Sequence, residues 1–247
     1  MLRYLLIASS LAGMAARPSA AQSAPAKWAD TIATEIENAQ MAGDSTKLAA
    51  AVALASRVAI AYPNDGLILH YKGYALYRSG LFRSRNADAS PLFQDAFDVL
   101  SKSLATHPLP ETHMLLSSID GQLISRNPSR GMELGMQSQS SINAALVSGP
   151  KNPRVWLLRG QGAIFTPSEY GGGLDVAEEY LKRAIELFRS DAPKPGEPSW
   201  GRAEAFAWLG QVYEKKGDKA KAGEMYKAAL DVNPNYGYAK HLAAALK

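Results

Sequence analysis

Apolar positions in this chain return at helical rather than alternating spacing. In the stretch from Ala203 to Tyr236, Phe206, Leu209, Gly210 and Tyr213 mark one helix face. Ala222, Tyr226, Ala229 and Leu230 mark a second. No run of alternating Val, Ile, Thr or Tyr suggests a sheet. The punctuation agrees with this reading. Asn127-Pro128 and Asn152-Pro153 each predict an N-cap followed by proline at the first helical position. Gly217-Asp218 predicts a helix stop and then a helix start.

The 203–236 unit therefore reads as two antiparallel helices. Gly210, Ala222 and Ala229 are small enough to let the helices approach, and Pro234 ends the unit. Weaker copies lie upstream. Gly73, Leu76 and Gly80 pair with Ala96, Leu100, Leu104 and Pro108 around an expected insertion from Leu81 to Asp95. Trp156 and Gly160 pair with Ala177, Leu181, Ala184 and Ile185, with a Gly171–Gly173 loop between them and a linker, Ser190 to Pro198, after them. Met114 to Ser117 with Ile142, Ala145 and Leu146 form a degenerate copy. Trp28 to Met41 with Thr46 to Ala61, closed by Pro63, form a first hairpin.

The unit from Ala203 to Tyr236 resembles the tetratricopeptide repeat, whose period is about 34 residues. The resemblance rests on Leu209-Gly210, Tyr213, Ala222, Ala229 and Pro234, with Phe206 where that family usually carries Trp. It implies an all-α, TPR-like α-solenoid: a right-handed superhelix of about five helical hairpins and a C-terminal capping helix. In that cap, Tyr236 to Lys247, the residues Tyr238, Leu242 and Ala245 are expected to pack inward.

The first 21 residues have a different pattern. Arg3 precedes a short apolar run from Tyr4 to Met14, and Pro18, Ser19 and Ala21 follow. This is the pattern of a secretory signal peptide, too short for a spanning helix, which needs roughly 20 apolar residues. The expected organisation is a signal peptide over 1–21 and a repeat domain over 22–247, exported to the periplasm or secreted, with no membrane span in the mature chain.

Composition narrows the function. A chain that is 47% hydrophobic and 20% charged is not a disordered one. Its net charge of +4 includes Arg3 and Arg17 of the leader, leaving +2. No basic stripe suggests a nucleic-acid partner. With no cysteine, disulfides, thiol catalysis, Cys-held zinc and a lipid-anchoring lipobox are excluded.

Candidate chemistry is sparse. Among His70, His107, His113 and His241, no two lie three or four apart as helical metal ligands would. His113 could meet Asp120 two turns on. Glu178 and Glu179 read as a solvated face pairing with Lys182 and Arg183. The Ser138–Ser141 cluster lacks a nucleophile elbow, and Gly171–Gly173 lacks the lysine of a phosphate loop. No catalytic residue, metal or cofactor is expected.

The resemblance instead implies a binding surface, because the first helices of successive repeats line the concave face. Carried over, these positions are His70, Tyr74, Tyr77 and Arg78, then Gln161 and Ile164, then Gln211, Glu214 and Lys215. Tyr and Arg are the residue types that dominate binding hot spots. Replacing Tyr74 and Arg78 together by Ala should then weaken partner capture without unfolding the chain. The Leu81–Asp95 insertion adds Phe82, Arg83, Arg85 and Phe93, and Tyr170 sits beside the glycine loop. The expected function is a non-enzymatic one, protein–protein interaction or scaffolding through the concave face with another protein or peptide segment. The alternative is a periplasmic small-molecule carrier or transport accessory, with a ligand enclosed by the superhelix.

Overall fold

The computed structural model describes residues 23–84 and 87–246, so the expected leader and Arg85 lie outside the described residues. Eleven α-helices make up the described fold: α1 (Ala24–Ala42), α2 (Ser45–Ala61), α3 (Gly66–Arg83), α4 (Ser90–Leu104), α5 (Pro110–Arg126), α6 (Gly131–Ser148), α7 (Pro153–Phe165), α8 (Leu174–Leu187), α9 (Arg202–Lys215), α10 (Lys219–Val232) and α11 (Gly237–Ala245). They pair as five antiparallel hairpins, α1/α2 to α9/α10, with α11 at the end. The degenerate middle copy is a full hairpin, α5/α6.

Local chemistry sets the helix ends. Asp44, Asp65, Asn152 and Asp218 each accept backbone N–H groups from the first turn of the helix that follows. Asn127-Pro128 differs from the expectation. The Asn127 side chain caps no helix; Pro128 opens a 3-10 turn, and α6 starts at Gly131.

Within hairpins, one glycine per first helix sets the helix–helix approach. A Cβ added to Gly73, Gly160 or Gly210 would lie closer than 3.0 Å to Leu100, Leu181 or Tyr226 respectively. A large residue of the second helix thus enters the same notch in three hairpins, which is why the pattern repeats in the sequence. Gly80 makes the same kind of notch for Phe93. This corrects the expected insertion. Leu81–Arg83 and Ser90–Asp95 are helical, Phe93 is fully buried, and the connection itself is only the short stretch 84–89.

Between hairpins, each second helix packs on the next first helix, as α2 on α3, α4 on α5, α8 on α9 and α10 on α11. The exception is α6, and there α5 packs on α7 instead. This leaves Met132, Met136 and Val147 of α6 largely exposed. A tie between the fourth and fifth hairpins comes from Glu178, which pairs with Lys182 as expected and also with Lys216 and the Tyr213 hydroxyl.

The stack then closes on itself. Met41 at the end of α1 shares a buried cluster with Ala203, Ala207, Ala229, Tyr236 and Ala239 from α9 to α11. Helix α11 packs on α1 as well as on α10. In this cap Leu242 is half-buried, Ala239 takes the fully buried place, and Ala245 is exposed, contrary to the expected inward packing.

Candidate functional site

Helices α1, α3, α5, α7 and α9 pack side by side and form the inner wall of the superhelix. The connections between hairpins are four or five residues long, except for the one between α8 and α9, which runs from 188 to 201. That segment does not loop outward. It crosses the inner wall from α7 to α3 and α1. Burying a loop normally strands its backbone polar groups. Here Pro193, Pro195 and Pro198 carry no N–H, and the Gly196 N–H donates to Asp30 Oδ1 at 2.8 Å.

Two anchors hold the segment. At its start, Arg154 of α7 donates to both carboxylate oxygens of Asp191, at 3.2 and 2.6 Å. At its end, the buried Trp200 ring stacks on Tyr74 of α3, with centroids 4.8 Å apart and planes 13° apart. The guanidinium groups of Arg78 and Arg154 lie 5.8 and 5.9 Å from the Trp200 ring centroid. Between the anchors, Gly196 fits close against Leu67 and Ala26 in a left-handed backbone conformation, φ 85°, so a side chain there would be strained and would press on both.

A buried charge network lies around these anchors. Arg78 Nη2 donates to both oxygens of Glu204, 126 residues away, at 2.7 and 2.8 Å. Arg78 Nε and Nη2 also donate to the Tyr74 hydroxyl at 3.0 and 2.9 Å. Burial works against the Arg78 charge, and Glu204 with Tyr74 more than offsets it, so its pKa rises. Burial raises the Glu37 carboxyl, and the nearby Glu204 adds to the effect. Burial also raises Glu111, against the Asn152 amide that donates to it at 2.7 Å. The His70 imidazole falls to about 3, through burial first and the neighbouring His107 second, so it is neutral at any physiological pH. Among the described residues, the Trp200 Nε1, Tyr71 hydroxyl and Arg154 Nε atoms are buried without a hydrogen-bond partner.

The residues singled out from the sequence fall into separate places. His70, Tyr74, Tyr77 and Arg78 are on the inner wall but buried against the chain itself, so none offers a surface to a partner in this conformation. His70 Nδ1 and Thr112 Oγ1 share a hydrogen bond of 2.8 Å, and Tyr77 packs against Phe93. Gln161 is half-buried. Gln211 is half-buried too and accepts from the Tyr238 hydroxyl at 3.1 Å. Glu214 is exposed and accepts from Tyr226, and Lys215 is exposed. Phe82 is half-buried against the core. Arg83 is exposed and donates to the Asp88 carbonyl at 3.0 Å. Tyr170 is exposed in a 3-10 turn. The two turn-edge features, Arg83 and Tyr170, are not brought onto the Tyr74 cluster.

The residues that complete the interior, namely Trp200, Arg154, Asp191, Glu204 and Glu37, were not among the sequence candidates. The available signal was a proline-rich linker ending in a tryptophan. Two shallow clefts are open at the surface. One of about 380 Å³ is lined by Arg126, Arg130, Asp88 and Gln94, and one of about 270 Å³ by Trp28, Arg57 and Tyr62. Among the described residues, no helix is long and apolar enough to cross a membrane, and no three His, Asp or Glu side chains group as metal ligands.

Comparison with known proteins agrees with this architecture. A family profile described as tetratricopeptide repeat matches residues 203–236. The HusA haemophore from Porphyromonas gingivalis superposes with a TM-score of 0.63 at 22% identity, over 78% of this chain and 96% of that one. A thermophilic TPR protein from Thermus thermophilus superposes with a TM-score of 0.60 at 20% identity, over 90% and 98% of the two chains. No curated protein sequence matches. TPR folds are in general non-catalytic scaffolds for binding other proteins. With a recognised tetratricopeptide repeat at 203–236 and four more hairpins stacked before it among the described residues, this chain has an all-α solenoid fold of the tetratricopeptide-repeat type.

Proposed function

We propose that this chain is an exported, non-enzymatic TPR protein that captures an extended segment of another protein on the inner face of its superhelix. One observation carries the reading: the inner face already holds a non-helical segment, its own residues 188–201, through Arg154–Asp191 and the Tyr74–Trp200 stack. The wall supplies what strand recognition needs, a guanidinium for a carboxylate and a flat aromatic face for a ring. Export rests on the Arg3-to-Ala21 pattern in the sequence.

Cross-linked affinity capture with residues 23–247, in an extract of the exported compartment, tests this. The expected result is a small, reproducible and saturable set of proteins. A folded, helical chain that enriches nothing would overturn the reading.

A small-molecule carrier is the second reading, supported by the superposition on a haemophore. A carrier needs an enclosed, mostly apolar cavity, whereas Trp200, Tyr74 and two ion pairs fill this interior. Titration with small ligands such as haem, followed by absorbance, separates the two readings.

A further inference from the structure

We infer that residues 190–201 are a displaceable gate: they occupy in cis the groove that a partner strand takes in trans, and the partner carries a carboxylate and a tryptophan in the spacing of Asp191 and Trp200. The inference rests on the protein-binding reading above and adds its regulation and the chemistry of its partner.

Four observations carry it. First, the other connections between hairpins manage with four or five residues, so most of the 188–201 stretch is not needed to join α8 to α9. Second, this surplus lies against the inner wall and does not loop outward, with Gly196, Pro198, Trp200 and Gly201 buried there. Third, the segment is built like a ligand. It is rich in proline, has little backbone pairing of its own, and is held by side chains at its two ends. Within the segment, the backbone bond is Glu197 N–H to the Lys194 carbonyl, and Lys194 N–H donates to the Glu197 carboxylate. Fourth, the fit is imperfect. The Trp200 Nε1 and Arg154 Nε donors are buried without partners among the described residues. Arg154 belongs to the wall, so a strand offering an acceptor to its Nε would bind there better than the cis segment does, while Trp200, which belongs to the segment, would be freed to pair with water.

The middle of the segment is also poised to leave. Ala192 to Pro195 are exposed, and Gly196, Pro198, Trp200 and Gly201 are buried. An incoming strand can therefore engage one anchor while the other still holds, replacing Asp191 on Arg154 before Trp200 leaves Tyr74.

Two measurements test the gate on the chain from residue 23 to 247. The first is amide hydrogen exchange of the wild type. The Gly196 N–H, held by Asp30, is expected to exchange at least tenfold faster than the Tyr74 and Arg78 amides of α3, through an opening that leaves the helices protected. Exchange of Gly196 only together with the slowest helix amides would overturn the gate, because the segment would then open only on global unfolding. The second is fluorescence anisotropy with a labelled synthetic peptide of residues 189–201. A Trp200→Ala/Asp191→Ala chain, with its helicity checked by circular dichroism, is expected to bind the peptide at least tenfold tighter than the wild type. A peptide with alanine in place of its tryptophan is expected to lose that binding. Equal binding by both chains, or none by a helical variant, would overturn the gate. If the variant loses its helicity, the exchange measurement decides alone. Capture of a protein without gate opening would leave the protein-binding reading standing and sink only the gate; opening without any capture would do the reverse.

Discussion

At the scale of single residues, Arg78 shows how far a side chain's role depends on distant sequence. Its neighbours along α3 put it with Tyr74 on the inner side of a helix, which the helical spacing makes legible. What the spacing cannot show is that Glu204 arrives there from the other end of the chain and that Trp200 covers the tyrosine. Removing Tyr74 and Arg78 is therefore expected to weaken the fold itself, beyond any effect on partner capture. Arg78→Ala leaves the buried Glu204 carboxylate without its partner, and such losses cost roughly 3–5 kcal/mol. Urea unfolding should show this as a lower midpoint with little change of slope.

Asp120 is the second residue whose surroundings set its behaviour. It is fully buried on α5, and neither carboxylate oxygen has a partner among the described residues. The suggested meeting with His113 is not among its hydrogen bonds, and burial lifts its pKa to about 7, with Arg130 opposing and Glu133 assisting. The unfolded carboxyl ionises near pH 4 while the folded one stays protonated, so Asp120 lowers stability progressively as pH rises from about 4 to about 7. Asp120→Asn should remove that slope. It should stabilise by about 1–3 kcal/mol at pH 8, where Asp120 is a buried unpaired charge, and change little at pH 4. Thermal denaturation at the two pH values checks it.

At the scale of elements, the hairpins were readable because small and large residues recur in register. The notch glycines were therefore visible before the notches were. The expected insertion at Leu81–Asp95 failed for the opposite reason. Its polar and arginine-rich pattern looks like a loop, but Phe93 fits a second glycine, Gly80, and draws both flanks into helix. Position decides what a glycine is worth. Gly210→Ala should destabilise by about 1–3 kcal/mol, because the new methyl meets the buried Tyr226 ring. Gly135→Ala in α6, where nothing lies within 4 Å of the added carbon, should stabilise by about 0.5–1 kcal/mol. Paired chemical denaturation of the two variants tests both signs. The 188–201 segment was legible as a linker, but whether a linker turns outward or inward is decided by what the inner wall offers it.

At the scale of the whole molecule, the contact of α11 with α1 and the Arg78–Glu204 pair join the two ends of the array. An open solenoid can fray from either end, because each repeat touches only its neighbours. Here the fifth hairpin also holds the first and second. Unfolding followed by circular dichroism and by Trp fluorescence should therefore coincide in one transition. Deleting residues 237–247 should split or broaden it.

The meeting of first and last helices also fixes the copy number. Open arrays can lengthen by duplicating a unit, since a new unit needs only a neighbour on each side. Adding a sixth hairpin here would push Met41 away from Tyr236 and Arg78 away from Glu204. Ring closure thus acts as a ruler, and lineages of this chain should vary in loops and surface residues while the hairpin count stays at five.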